Sequence, residues 1–304
     1  MRRFFNLFKL TILLSCLFCI LFSCGKSSEK NSKQKTEKNI IVGFSQIGAE
    51  SEWRTCNTQS LQQAAEKAGI QMVYSNAEQK QENQIKAIRS FIVYQVDVIV
   101  FCPIVQDGWD NVLQEAKDAN IPVIVVDRKI RTKDNSLYAG YIGTDSLEEG
   151  RNSGFHEIID KDPRFSVVYT ESGDFLRSRG KEIAESLCAK SSHNVLQIDG
   201  KTIHAIFSHN DQMTLGFLGI LDNYNYNPGK DITIITIDAE QSAIDQLCKG
   251  KINCVIECNP KMGTQVMDFV KDLAAGKPIP AVTYVSETVF TEKDNFNSIE
   301  PRGY

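Results

Sequence analysis

Residues 109–128, WDNVLQEAKDANIPVIVVDR, contain one helix-and-strand unit that indicates the fold. The spacing of the apolar residues predicts a helix from Trp109 to Ala119. After it, Pro122 to Val126 is predicted to form a β-strand that ends at Asp127 and Arg128. A strand that is apolar throughout is typical of a parallel sheet that helices cover on both faces.

The same alternation of strand and helix extends along the chain in both directions. Repeated βα units with right-handed crossovers build a doubly wound α/β domain. Two similar sets of units follow one another, so the sequence predicts two doubly wound parallel-sheet lobes with a ligand cleft between them. The other predicted strands cover residues 40–44, 70–74, 96–101, 138–142, 166–169, 203–207, 232–237 and 252–256, with an extended end at 284–290. The other predicted helices cover residues 52–68, 79–94, 179–190, 212–224, 241–249 and 261–275.

Composition excludes several classes of protein. Of the 304 residues, 42% are hydrophobic and 24% are charged, which is ordinary for a folded globular protein. The 34 basic and 38 acidic residues give a net charge of −4, so no overall basic field attracts nucleic acid. These values exclude a disordered chain, a polytopic membrane protein and a nucleic-acid binder that depends on bulk charge.

The N-terminal residues are predicted to direct the protein out of the cytoplasm rather than to join the fold. Residues 1–23 combine a basic start with a short apolar run, which is typical of a signal peptide. Residues 21–25, LFSCG, resemble a bacterial lipobox in which Cys24 is acylated, and residues 24–39 follow as a polar tether. A signal peptide with an incidental cysteine and a short anchor are the alternatives. The main prediction is a lipid-anchored protein in the periplasm or at the cell surface.

The cysteines and histidines do not predict a metal site or a particular disulfide. The last three cysteine positions match no common zinc spacing, and the four histidines are scattered. We therefore expect no metal and no cofactor. After Cys24 the cysteines are Cys56, Cys102, Cys188, Cys248, Cys254 and Cys258.

Polar residues that follow the predicted strands form the candidate ligand site. In parallel α/β sheets, ligands lie beyond the carboxyl ends of the strands. Polar groups there can hydrogen-bond the hydroxyls of a sugar, and Trp53 or Phe175 can cover the apolar face of its ring. The strand-end rule selects residues 45–54, Asp127, Arg128, Asn210, Asp238 and Glu257.

Each of these residues also has a purely structural interpretation. Asp127 and Arg128 can form a local ion pair. Asn210 and Asp238 can cap the helices that follow them, and Trp53 can be a core aromatic. Taken singly, the two interpretations are equally favoured. Taken together, the residues favour a site, because all of them fall at the same predicted edge of their sheets.

Several segments resemble galactofuranose-type sugar-binding proteins, which belong to the ribose-like periplasmic binding family of ABC importers. The resemblance covers nearly all of residues 40–304 and implies two lobes, joined by three crossing segments, that close on a monosaccharide. It implies a first lobe of residues 40–143 and 260–280, and a second lobe of residues 144–259 and 281–304. The segments are GFSQIGAESEWR (43–54), QKQENQIKAIRSF (79–91), IPVIVVDR (121–128), SGDFLRSRGKE (172–182), SHNDQM (208–213) and RGY (302–304).

The resemblance also implies which side chains contact the ligand. Most of them are residues that the strand-end rule selects independently. The implied contacts are Glu50, Ser51, Glu52, Trp53, Arg54, Asp127, Arg128, Phe175, Asn210 and Asp238.

The second lobe departs from the family's pattern at residues 148–155, EEGRNSGF. In the family, a strand and a loop with a ligand-facing arginine lie between the first two helices of this lobe. Here the first helix joins directly onto the end of the second, so a βα segment with that arginine is predicted to be missing. Arg177 is the nearest candidate to replace that arginine. Loss of a central strand would remove several kcal/mol of apolar burial, at about 25 cal/mol per Å². We expect residues 166–169 to take the vacant position, or the second lobe to be weakened and sugar affinity to be reduced or absent.

These observations predict the sugar-binding component of an ABC importer, monomeric and with no nucleic-acid partner. Its expected partners are a monosaccharide, an ABC permease or a membrane sensor, and the membrane that holds its lipid. The alternative is a sugar-sensing or orphan receptor lipoprotein with weakened or lost binding. An enzyme is not favoured, because the chain has no GxxxxGK[ST], HExxH or GxSxG motif. A repressor would need a helix-turn-helix where the signal and tether lie.

Overall fold

A computed structural model describes residues 39–144, 153–191 and 195–304. The predicted signal peptide, Cys24 and the tether as far as residue 38 lie outside the described residues. So does most of the junction at residues 148–155, and the predicted missing segment therefore stays a prediction. No helix within the described ranges is long and apolar enough to cross a membrane.

Strands and helices alternate along the described chain, as the sequence predicts. The described strands are β1 (Ile41–Gln46), β2 (Gln71–Asn76), β3 (Val98–Phe101), β4 (Val123–Asp127), β5 (Gly140–Gly143), β6 (Gln197–Ile198), β7 (Lys201–Thr202), β8 (Ala205–Phe207), β9 (Thr233–Asp238), β10 (Cys254–Glu257), β11 (Val282–Tyr284) and β12 (Val289–Thr291). The described helices are α1 (Glu52–Ala68), α2 (Gln81–Tyr94), α3 (Asp110–Asp118), α4 (Ser153–Ile159), α5 (Arg177–Lys190), α6 (Asp211–Asn223), α7 (Gln241–Cys248) and α8 (Gly263–Ala274).

The first lobe is built on a six-stranded parallel sheet with the strand order β11-β5-β4-β3-β1-β2. All of β3 is buried, because helices cover both faces of the sheet. Val98 and Val100 pack on one face with Leu61 of α1 and Val266 of α8. On the other face, Ile99 and Phe101 pack with α2 and α3. The carboxyl ends of β1, β3 and β4 therefore lie side by side.

The second lobe is built on a four-stranded sheet with the order β12-β10-β9-β8. Strands β8, β9 and β10 are parallel, and β12 is antiparallel to β10. Leu187 of α5, Leu221 of α6 and Leu247 of α7 are buried against this sheet. Helices α5 and α6 lie very close at Gly216. A Cβ atom added there would come within 2.2 Å of the Arg177 carbonyl oxygen. The sequence prediction of two α/β lobes is confirmed.

Residues 166–169 form no strand, so the expectation that they fill a central position in the second sheet is wrong. Val167 is 43% exposed, and only Val168 and Tyr169 pack against the core of the lobe. The strand β8 pairs with β9 and forms one edge of the sheet that the structure describes. A run such as SVVY favours extended backbone, but a strand also needs a neighbour, which local sequence does not reveal.

The extended end predicted at residues 284–290 is divided between the two sheets. The strand β11 pairs with β5 in the first sheet, whereas β12 pairs with β10 in the second. The chain thus crosses between the lobes after β11, as it also does after β5 and after β10. The small hairpin of β6 and β7 and the short helix α4 were not predicted, because each is too short to show a period in the sequence.

Candidate functional site

A buried group of charges lies at the carboxyl edge of the first sheet. Ser51 caps α1 by accepting a hydrogen bond from the backbone N–H of Arg54 at 3.1 Å, which fixes Arg54 in the first turn of the helix. The Arg54 Nη1 atom lies 2.8 Å from Asp127 Oδ2, and its Nε lies 3.1 Å from Glu50 Oε1. The structure therefore brings three of the predicted site residues together.

The pKa values of this group favour permanent charges. Burial alone lowers the pKa of Arg54, but Asp127, Cys102 and Glu50 raise it well above its ordinary value. Burial alone raises the pKa of Asp127, but the positive charges of Arg54 and Arg128 hold it below its ordinary value. The cation and the carboxylate thus stay ionised although both are buried.

Cys102 belongs to the same group, although it is not among the residues predicted from the sequence. Its Sγ lies 3.1 Å from Asp127 Oδ2 and 3.3 Å from Arg54 Nη1. Burial first, and then the charge of Asp127, raises the pKa of the thiol far above its ordinary value, so it remains a neutral donor to Asp127. The strand-end rule could have found it, because Cys102 directly follows β3.

Two buried polar atoms near this edge have no hydrogen-bond partner among the described residues. They are the hydroxyl oxygen of Ser45 and the Oε2 atom of Glu50. Ser45 lies near the end of β1, and the Glu50 side chain is only 10% exposed. An unsatisfied buried polar atom costs about 1–3 kcal/mol, so a hydroxyl-bearing ligand that bonded both atoms would remove that cost.

The second lobe contributes Asn210 and Asp238 from the carboxyl ends of its own strands. Asn210 Oδ1 accepts from the N–H of Met213 at 2.9 Å, so it caps α6, as the structural interpretation proposed. Its Nδ2 donates to the Phe175 carbonyl at 3.3 Å. Asp238 is buried at the end of β9, but the cap of α7 is Glu240. Capping thus accounts for Asn210 and not for Asp238.

Arg128 and Phe175 meet from opposite lobes. The guanidinium carbon of Arg128 lies 5.1 Å from the centre of the Phe175 ring, within the range of a cation–π contact. Arg128 Nη1 also donates to the Ile104 carbonyl at 3.4 Å. This pair brings a predicted ligand-contact residue of the first lobe against one of the second.

The structure places Trp53 in an apolar cluster, as in its structural interpretation. Its indole is only 4% exposed and packs with Ile237, Cys258 and Tyr304. The indole N–H donates to the Cys258 carbonyl. Glu52, its neighbour in the helix, is exposed. Trp53 therefore joins the first lobe to the second, and stacking on a ligand stays a prediction.

The C-terminal residues extend this contact between the lobes. Arg302 Nη2 donates to Glu257 and, at 2.8 Å, to the Tyr304 hydroxyl. The ammonium group of Lys261 donates to the Arg302 carbonyl at 2.6 Å. The RGY segment is thus held at the crossing that follows β10. Its packing role was not predicted, because a short polar terminus has no periodic pattern.

Within the described ranges, no group of three or more His, Cys, Asp and Glu side chains is placed to hold a metal ion. The six cysteines in these ranges are free thiols.

Comparison with known proteins relates this chain to a family. Residues 42–154 match the model of the periplasmic binding protein domain. The galactofuranose-binding protein YtfQ of Escherichia coli is 34% identical over 301 residues, which cover 87% of this chain and 93% of that protein.

Two solved structures with bound sugars have the same fold. A protein from Mycobacterium smegmatis in complex with β-D-fucofuranose is 39% identical, with a TM-score of 0.77 over 83% of this chain and 91% of that one. The arabinose-binding component of Shewanella sp. ANA-3, bound to L-arabinofuranose, is 34% identical, with a TM-score of 0.78 over 83% and 92% of the two chains.

Proposed function

The chain belongs to the periplasmic binding protein family, and from this premise we propose that it captures a monosaccharide between its lobes for an ABC importer. The observation that supports the proposal most strongly is the buried group of Glu50, Arg54 and Asp127 at the edge of the first sheet. Fixed charges of both signs suit a ligand whose hydroxyls donate and accept at the same point.

The role of each group follows from its chemistry. Asp127 and Glu50 accept from sugar hydroxyls, and Arg54 donates to hydroxyl or ring oxygens. The unpartnered Oε2 atom of Glu50 is a ready acceptor. From the second lobe, Asn210 and Asp238 bond the other side of the sugar, because they lie at the carboxyl ends of the facing strands.

We propose that the bound sugar is a pentose or hexose in its furanose form. The relatives described above are reported with galactofuranose, fucofuranose and arabinofuranose, all of which have five-membered rings.

Binding closes the lobes by hinge motion at the crossings near Gly143 and Glu257 and at the crossing between β11 and β12, which lies beyond Ala281. A ligand stabilises the closed form only through contacts that differ between the open and closed forms. Contacts from both lobes to one sugar supply that difference. X-ray scattering is expected to show a smaller radius of gyration when sugar is bound, and an unchanged radius would contradict closure.

Calorimetric titration with galactose, L-arabinose, fructose and ribose tests the proposal. We expect binding of at least one sugar, and its loss in Arg54→Ala. The matched control is Arg89→Ala, because Arg89 forms an exposed ion pair with Glu115 on the helices of the same lobe. Absence of heat with every sugar, for protein that is folded, would contradict the proposal.

We further propose that the affinity is lower than that of an intact relative. The predicted missing segment at residues 148–155 would carry an arginine that faces the ligand. Arg177, its nearest substitute, is exposed at the start of α5. Titration of this chain beside the Escherichia coli relative tests the point, and equal affinities would contradict it.

We also propose that Cys24 is acylated and anchors the protein outside the cytoplasm. The support is the order of basic residues, apolar run and lipobox-like LFSC in residues 1–24. Metabolic labelling with an alkyne fatty acid is expected to mark the wild-type chain but not Cys24→Ser. Equal labelling of both would contradict the anchor.

A further inference from the structure

Glu240 of the second lobe binds the N-terminus of a helix in the first lobe. The residue lies between β9 and α7 and is fully buried. It occupies the N-cap position of α7, but its side chain makes no bond to that helix. Instead, its Oε1 atom accepts from the backbone N–H of Trp53 at 3.1 Å. Trp53 is the second residue of α1, in the first lobe.

The other oxygen of the same carboxylate stays within its own lobe. Glu240 Oε2 accepts from the side-chain amide of Gln212, on α6. The backbone N–H of Glu240 donates to Asp211 Oδ2 at 2.7 Å, which fixes the residue on the second lobe. One carboxylate held firmly on one lobe therefore reaches the backbone of the other.

Helix termini explain why this contact is favourable. The first N–H groups of a helix have no partner within it, and the Ser51 side chain satisfies only that of Arg54. The carboxylate of Glu240 satisfies the N–H of Trp53 and lies at the positive end of the helix macrodipole. It also loses its hydration, a cost that only bound donors offset. The Trp53 donor is present only while the lobes touch, whereas Gln212 belongs to the same lobe as Glu240.

An apolar contact supports the polar one. The Trp53 indole packs with Ile237, Cys258 and Tyr304 and is shielded from water. These contacts join a residue of the first lobe directly to residues of the second. If the lobes separated, the indole and the carboxylate would become hydrated together.

We propose that Glu240 is a latch that shifts the equilibrium between open and closed lobes toward the closed form. By favouring the closed form, it sets the fraction of molecules that are already arranged for binding, and hence the apparent affinity. The link to affinity rests on the proposed sugar-binding function, whereas the latch itself does not.

The chain contains a built-in probe of this latch. It has two tryptophans, Trp53 at the contact between the lobes and Trp109 in the core of the first lobe. Both are buried in the closed form, so acrylamide quenching of the full, sugar-free wild-type chain reports the fraction of molecules whose lobes are open. Opening of the lobes exposes Trp53 and leaves Trp109 buried.

In Glu240→Ala, acrylamide is expected to quench the Trp53 part of the emission. Loss of a carboxylate from a helix N-terminus shifts the closed-to-open ratio by about 2- to 30-fold. Trp53→Phe keeps the backbone N–H and isolates the Trp109 signal as a baseline. Glu185→Ala is the matched control, because Glu185 is an exposed carboxylate of the same lobe. In Glu185→Ala, acrylamide is expected to quench the tryptophan fluorescence to the same extent as in the wild type.

Unchanged quenching in folded Glu240→Ala would overturn the latch. If Trp109 also becomes accessible, the alanine variant has unfolded and the isosteric Glu240→Gln decides. A gain of Trp53 quenching in that variant supports the latch, and no gain overturns it. The assay contains no sugar, so a chain that binds no sugar but still shows the gain would overturn the proposed function and leave the latch standing.

Discussion

Arg54 and Asp127 form a buried ion pair, with 2.8 Å between Nη1 and Oδ2, although 72 residues separate them along the chain. Arg54 comes from the first turn of α1, and Asp127 is the last residue of β4. Burial of two charges is favourable only when their geometry and remaining hydrogen bonds are good. Here Glu50 and Cys102 supply those bonds. The fold thus holds a buried charged group at the carboxyl edge of the first sheet.

Loss of one partner of this pair is expected to destabilise the protein strongly. Asp127→Ala leaves the buried charge of Arg54 with only Glu50, and breaking a buried pair costs about 3–5 kcal/mol. Asp107→Ala is the matched control, because it removes the exposed ion pair with Arg131, which is worth about 1 kcal/mol or less. Urea denaturation measures both values. Equal losses of unfolding free energy would contradict the view that Asp127 is held in a buried pair.

Two glycines of α6 are expected to respond oppositely to alanine. A Cβ on Gly216 would lie 2.2 Å from the Arg177 carbonyl oxygen, so Gly216→Ala forces α5 and α6 apart. Gly219 is exposed, with no atom within 4 Å of the added Cβ. Gly219→Ala is expected to stabilise the helix by about 0.5–1 kcal/mol, since glycine is a poor helix former.

Thermal denaturation of both glycine variants tests how the second lobe is packed. Gly216→Ala is expected to lower the melting temperature, with a loss of about 1–3 kcal/mol from overpacking. Gly219→Ala is expected to raise it. Equal changes of the same sign would contradict the close approach of α5 and α6.

The buried acid Asp211 is expected to make stability fall as pH rises. Burial, and then the charge of Asp238, raises the pKa of Asp211 well above its ordinary value, although Thr236 and the backbone N–H of Glu240 bond to it. A group whose pKa is higher in the folded state binds a proton more tightly there. Its contribution is complete below the unfolded value of about 4 and is lost as pH rises through the folded value.

Melting temperatures between pH 5 and 8 measure this effect. The decline is expected to be shallower in Asp211→Asn, which cannot ionise. It is not expected to vanish, because burial raises the pKa of Glu240 as well. Asp231→Asn, which changes an exposed carboxylate of the same lobe, is expected to follow the wild type. Parallel profiles for the wild type and Asp211→Asn would contradict the role of Asp211.

Much of the fold could be predicted from the sequence because its signals are local. The helix predicted at residues 52–68 matches α1, since Ser51 and Gly69 mark its two ends. Strand β3 is identified by its apolar run. The strand at residues 166–169 was predicted wrongly, because pairing depends on the position of distant segments. The same limit explains the unpredicted hairpin of β6 and β7.

The candidate site could be predicted only in part. The strand-end rule placed Arg54 and Asp127 near one another, because parallel strands end at a common edge. It could not show that Trp53 packs against Tyr304, since that contact depends on how the two lobes meet. Glu240 was missed for the same reason. A carboxylate that caps a helix of the other lobe leaves no pattern in its own segment.

A crystal structure of the chain with bound sugar would show whether the two lobes hold one ligand. We expect one monosaccharide between the lobes, with its hydroxyls within hydrogen-bond distance of Arg54 and Asp127 from the first lobe and of Asn210 or Asp238 from the second. A sugar bound elsewhere, or bound to one lobe alone without contact to Arg54 and Asp127, would refute capture of the sugar between the lobes.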